Sequence, residues 1–145
     1  MEFGGSNNLV TNWLSLTHIH MHIAGELEQA LQAKHQISLN EFYMLLFLSE
    51  APDKKLRLQQ LESMVGLSQS AMSRLVSRFE AKGCQSLKRY SCDEDRRSIY
   101  TSLTVIGQQK VDQAYVTFQA ELSKAVSEKK LETVLEKMFH HKQMP

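Results

Sequence analysis

The chain is poor in the residues that interrupt helices. Its 145 residues include two prolines, Pro52 and Pro145, and six glycines. That is too little punctuation for many short strands, so a helix-rich fold is expected and an all-β fold is not. Cysteine is scarce too. Cys84 and Cys92 are too few for a disulfide scaffold and lack zinc-site spacing, which points to a reducing cytoplasm. No apolar run approaches the roughly 18 residues needed to span a bilayer, and no charged stretch precedes an apolar block, so neither membrane anchor nor signal peptide is expected. Neither sign of charge dominates: 17 Lys and Arg face 16 Asp and Glu, a net +1. This excludes a wholly basic coat and an acidic tail alike. The residues also offer no nucleophile beside a base, no carboxylate pair in an apolar setting and no glycine-rich phosphate loop, so neither an enzyme nor a cofactor is expected.

With 42% apolar residues the chain can build one ordinary core. Met1 to Ser6 (MEFGGS) are unpatterned, and residues 1–8 are set aside as a flexible lead, part of it read as a cloning remnant. From Leu9 a seam of steps of four and three runs through Trp13, Leu16, His20, Ile23, Leu27 and Ala30. A helix of about 25 residues reaches roughly 38 Å, more than a small domain needs to cover its own core, so the seam asks for a second helix, and a second copy of the chain could supply it. Ser38-Leu39-Asn40-Glu41 has capping-box form and starts a helix with Phe42, Leu45, Leu46 and Leu48 inward, which Ala51-Pro52-Asp53 ends.

Two short helices follow. The first carries Leu58, Leu61, Met64 and Val65 on one face and stops at Gly66. The second is capped by Ser68, buries Ala71 or Met72, Leu75 and Phe79, and ends at Lys82-Gly83. Joined by a three-residue glycine-containing turn, they form a helix-turn-helix. Leu87 to Tyr90 then pairs with the alternating Ile99, Thr101 and Leu103 across a polar turn from Ser91 to Asp95, giving a β-hairpin. Thr104 caps a long helix through Ile106, Val111, Tyr115, Phe118, Leu122 and Val126. Ser127 caps a last one carrying Leu131, Val134, Leu135, Met138 and Phe139. Between Asp53 and Arg97 ten basic residues face six acidic ones, +4, while the remainder carries −3. A local basic lobe on a near-neutral protein suits a polyanion. Ser68, Gln69, Ser70 and Ser73 offer hydroxyl and amide groups at the end of a helix that would enter a major groove. Arg74, Arg78 and Lys82, four apart, form a stripe that a phosphate backbone could follow, with Lys88 and Arg89 on the hairpin beside it.

Asp95-Arg96-Arg97, five further residues, then Leu103-Thr104 and Gly107 make a combined pattern that resembles the MarR family, the multiple antibiotic resistance type regulators of bacteria. The Gly66-Leu67-Ser68-Gln69-Ser70 turn and Glu80-Ala81-Lys82-Gly83 belong to the same likeness, which runs from Leu9 to about His141. It implies a mainly α winged helix-turn-helix homodimer with a small β-hairpin wing. Its first and last helices would entwine for dimerisation, and its lobes would bind the halves of an inverted-repeat double-stranded DNA operator as a repressor. By the same likeness Arg97 reaches into the minor groove and Asp95 holds a neighbouring arginine. The physics agrees, because a narrow minor groove concentrates negative potential and a carboxylate orients a guanidinium. One of Arg96 and Arg97 could instead pair with Glu94 or Asp93 as a solvated turn charge. About two extra residues between Gly83 and Asp95, with Cys84-Gln85 in place of an apolar pair, depart from the family pattern and leave the wing base and the reach of Arg89 open.

The expected division is residues 9–37 as an N-terminal dimerisation helix, 38–104 as the winged DNA-binding domain and 105–145 as C-terminal helices completing the dimerisation domain. The likeness also implies release of DNA by a small phenolic or other organic anion, or by cysteine oxidation. Trp13, His20, Phe42 and Met44 are the candidate crevice liners, although large apolar residues at helical spacing are more often core. Cys84 and Cys92 are the redox candidates. Extended chain would hold them roughly 26 Å apart, against the 7 Å or so a disulfide tolerates, and Cys84 reads equally as a small apolar residue. His18 and His22 have the spacing to share a metal, but nearby carboxylates are sparse, so no metal is assigned. The rival readings are a helical dimer whose winged domain docks a protein partner and a thiol-based redox-responsive regulator.

Overall fold

In the computed structural model residues 8–81, 83–92 and 95–143 are described, the side chains of 91–98 and 141–143 excepted. Helix α1 spans Leu9–His35. Its first turn is capped by Asn8, whose side chain accepts from the Thr11 amide at 3.0 Å, so Asn8, expected to belong to the flexible lead, is part of the helix start. The Ser38-Glu41 capping box forms as expected and opens α2, Leu39–Glu50. Ala51 and Pro52 then turn the chain, through a single 3-10 turn, into β1, Lys55–Arg57. This strand was not expected, because three residues are too short to display an alternation. Helices α3, Leu58–Val65, and α4, Gln69–Glu80, follow. Between them Gly66 takes the left-handed closing position at φ 84°.

Strands β2, Leu87–Cys92, and β3, Asp95–Leu103, form the hairpin, and β1 adds to its far edge in the order β1-β3-β2. Thr104 caps α5, Val105–Glu128, its hydroxyl accepting from the Gly107 amide at 3.1 Å. Helix α6 is Leu131–Gln143. Ser127, expected to cap that last helix, instead lies inside α5, which runs on to Glu128. The second helix of the pair ends at Glu80, short of Lys82-Gly83, and Lys82 lies outside the described residues.

The main core gathers Phe42, Met44, Leu45 and Leu48 of α2 with Leu61, Met72, Val76 and Phe79 of the helix pair, Leu87 and Leu103 of the sheet, Leu31, Ile37, and Val111 and Ala114 of α5. Phe42 stacks on Phe118 with ring centroids 4.6 Å apart. A second, smaller cluster of Ile23, Leu27 and Ala125 joins α1 to α5. Several expected core positions lie elsewhere. Leu9, Trp13 and His20 of the seam are exposed, as are Met64, Ile106 and Tyr115. Leu46 and Leu75 are half-buried, and Val76 and Leu31, not expected, are fully enclosed. Helical spacing gives the stripe but not its phase against the neighbours, and a one-residue rotation of about 100° exchanges Leu75 for Val76. Among the described residues no helix is long and apolar enough to cross a membrane.

Candidate nucleic-acid interface

Helix α4 starts where it does because Ser68 is extended and its hydroxyl accepts from the Ala71 amide at 3.3 Å. Met72, Val76 and Phe79 turn one face into the core. The opposite edge is left to solvent, with Gln69, Ser70 and Arg74 exposed and Ser73 half-buried. The Ser68 hydroxyl also lies 3.4 Å from that of Ser70, so it serves the helix start before any outside partner.

The sheet stands beside this edge. Arg89 bridges the two, its guanidinium 2.9 Å from a Glu80 carboxylate oxygen and 3.5 Å from the Ser77 hydroxyl. The hairpin stem is thereby tied to α4. A cleft of about 260 Å3 opens between them, lined by Arg57, Leu58, Gln59, Gln69, Arg89, Ile99 and Thr101. A second groove, of about 330 Å3, separates the start of α2 from α4 and is lined by Ser38, Asn40, Leu67, Ala71, Arg74, Leu75 and Arg78. Arg78 departs from the expected free stripe, because its guanidinium lies 2.5 Å from the Glu41 carboxylate. Lys88 is exposed on the outer face of the sheet. The side chains of Asp95, Arg96 and Arg97 lie outside the described set, and only their backbone, in β3, is placed.

A cationic cluster on that outer face had escaped the sequence reading. Tyr90 and Tyr100 face each other across β2 and β3 with centroids 6.1 Å apart. The Lys55 ammonium sits 5.7 and 5.2 Å from the two rings, and the Arg57 guanidinium 5.4 Å from Tyr100. The Arg57 Nε also donates to the Tyr100 hydroxyl at 3.2 Å. A hydrogen bond with Tyr90 raises the Lys55 ammonium above its ordinary pKa. The sequence carries Lys55 and Arg57 on either side of Leu56, but their shared face acquires meaning only once β1 pairs with β3.

The four candidate crevice liners are not brought together. Phe42 and Met44 are sealed in the core. His20 is exposed, and Trp13, 58% exposed, lines an apolar hollow of about 290 Å3 with Leu9, Val10 and Met138. The His18 and His22 rings meet edge to face at 4.4 Å, and among the described residues no group of three or more ligating side chains could hold a metal. Cys84 is half-buried against the core with Sγ 3.1 Å from the Ser86 hydroxyl. The Cys92 side chain lies outside the described set.

A capped helix pair, an exposed polar edge on its second helix and a two-stranded wing on a three-stranded sheet make a winged helix. Residues 35–98 match the model of the MarR family. Over that stretch the chain is similar to the MarR family. No curated protein matches it in sequence. Among solved structures it is similar to AbsC, a MarR family regulator from Streptomyces coelicolor, at 20% identity and TM-score 0.76, with 97% of each chain covered. It is similar to Sco3205 from the same organism, solved in complex with DNA, at 19% identity and TM-score 0.75, covering 100% of this chain and 93% of that one. BpsR from Bordetella bronchiseptica, whose DNA binding is regulated by 6-hydroxynicotinic acid, is similar at 15% identity and TM-score 0.65, covering 77% and 80%. At such identities these are likenesses of fold. What they show of this chain is its winged-helix fold.

Proposed function

We propose that the protein acts in the cytoplasm as a homodimeric repressor that binds a pseudo-palindromic operator and releases it when a small phenolic or other organic anion binds. The carrying observation is the solvent-facing edge of α4, where Gln69, Ser70 and Arg74 are exposed and Ser73 is half-buried, flanked by the basic wing stem. These groups enter the major groove, where amides pair with adenine and guanidinium with guanine or phosphate. Arg97, two strand positions before Ile99, would lie in the flanking minor groove with Asp95 steadying an arginine beside it, and Lys82, Lys88 and Arg96 add to the basic margin. Dimerisation through residues 9–37 and 105–145 is supported by exposed Leu9, Trp13 and Leu14 on α1 and Phe139 on α6, an apolar surface that water does not favour. Support for an effector comes from BpsR, whose DNA binding 6-hydroxynicotinic acid regulates.

Selection of retained fragments from a genomic DNA pool tests this reading. The expected result is an inverted repeat with half-sites about one turn, roughly 34 Å, apart. Arg97→Ala should weaken binding at that site about tenfold or more with the dimer intact. Enrichment of nothing by a folded protein, freed of bound small molecules, would overturn the proposal.

A further inference from the structure

We infer that Glu41 of α2 sets both the pose and the effective charge of the recognition helix α4 through Arg78, which makes Arg78 an internal strut rather than a phosphate contact. The inference rests on the DNA-binding reading above and refines it. Glu41 is fully buried. One of its oxygens accepts from the Ser38 amide at 2.6 Å within the capping box, and the other lies 2.5 Å from the Arg78 guanidinium. A buried carboxylate survives only with its hydrogen bonds and a counter-charge in place. Arg78 supplies that charge from the helix whose polar edge faces outward. The same end of α2 is held from α1, since the Leu39 amide donates to a Glu28 carboxylate oxygen. Two carboxylates therefore fasten the start of α2, Glu28 to α1 and Glu41 to α4.

This geometry separates two arginines that the sequence makes equivalent. Arg74 and Arg78 line the same groove, one helical turn apart, but Arg78 is 2.5 Å from the buried Glu41 carboxylate and is its counter-charge among the described residues, although 62% of the Arg78 side chain is exposed. To neutralise a phosphate, Arg78 would have to abandon a buried charge. Counterion release from α4 should therefore come from Arg74 alone, and Glu41 is a positioning residue that acts through Arg78.

The test is the dependence of log K on log salt for the whole dimer, on its selected operator and on a random duplex. Arg74→Gln sets the reference and should make the slope shallower by about 0.9 per subunit. Arg78→Gln should leave the slope at the wild-type value while the operator-to-random ratio falls roughly tenfold, the scale of one lost base contact. Glu41→Gln keeps the capping box, which accepts either residue, and should steepen the slope by about 0.9 per subunit as the freed Arg78 turns to the backbone. If Arg78→Gln flattens the slope as Arg74→Gln does, or Glu41→Gln leaves it unchanged, the inference is wrong. Should a single variant be poorly folded by circular dichroism, the double variant Glu41→Gln with Arg78→Gln leaves no unpaired charge and decides the matter. A wild-type slope supports the strut, and a shallower one overturns it. A wild-type protein that binds neither duplex would remove the DNA-binding reading itself, a distinct outcome.

Discussion

The winged lobe and the long-helix layer handle their apolar residues in opposite ways. The lobe closes a core of its own: α2, the helix pair and the sheet enclose Phe42, Leu45, Leu61, Met72, Val76 and Leu103, with α5 as a wall. The helix layer's own cluster is small, Ile23, Leu27 and Ala125 among the described residues, and it leaves Trp13, Met21, Val116 and Phe139 each more than half exposed. Charge divides along the same line, with +2 in residues 38–104 and −1 in the rest, the excess concentrated at +4 in residues 53–97. An element that satisfies itself can present polar and basic groups outward for a ligand, whereas one that does not must be completed by another apolar surface.

The sharpest way to break this contrast is to empty the lobe's core. Phe42→Ala removes a ring stacked on Phe118 and should cost about 3–5 kcal/mol in urea unfolding. Unfolding close to wild type would mean that the lobe does not rely on its own interior. Next comes Gly107→Ala at the junction of lobe and long helix. A methyl group there would overlap the Ser86 carbonyl and approach Leu103 Cδ1 to 2.6 Å, so a loss of up to about 3 kcal/mol is expected from the melting curve. The helix layer is probed by Trp13→Glu. It should leave the lobe's fold unchanged by circular dichroism yet weaken self-association by about 2 kcal/mol, read by sedimentation, and an unaltered dimer would place the interface elsewhere.

The smallest effect concerns pH. His35, at the end of α1, hydrogen-bonds Thr117 of α5 at 2.8 Å, and burial, reinforced by Lys34 and Lys110, holds its pKa below the usual 6.5. The unfolded chain therefore binds the proton more tightly. Stability should fall as pH drops from 6.5 toward the lowered value and level off below it. His35→Gln should flatten that part of the profile, and an identical profile would show that the junction is not sensed there.

Much of this division was legible in the residues. Ser38, Ser68 and Thr104 mark helix starts because a hydroxyl satisfying an orphan amide is a local event that needs no distant partner. Pro52 and Gly66 end helices for equally local reasons. Gly107, noted in the sequence only as part of a pattern, acquires a cause in the close approach of Ser86. Ser127 misled because a good capping residue inside a strong helix is simply passed over.

The sequence by itself determined the helix-rich class, the helix pair with its hairpin, the segregation of basic charge and the likeness to a family of regulators. These follow from capping chemistry, periodicity and composition, which act over a few residues or over the whole chain at once. The tertiary structure alone decided which face of each helix is buried, that β1 completes the sheet, that Lys55 and Arg57 sit on a tyrosine pair, and that Glu41 claims Arg78. Each of these joins residues far apart in the chain, and a side chain's charge or apolar surface has no assigned partner until packing brings one within contact distance.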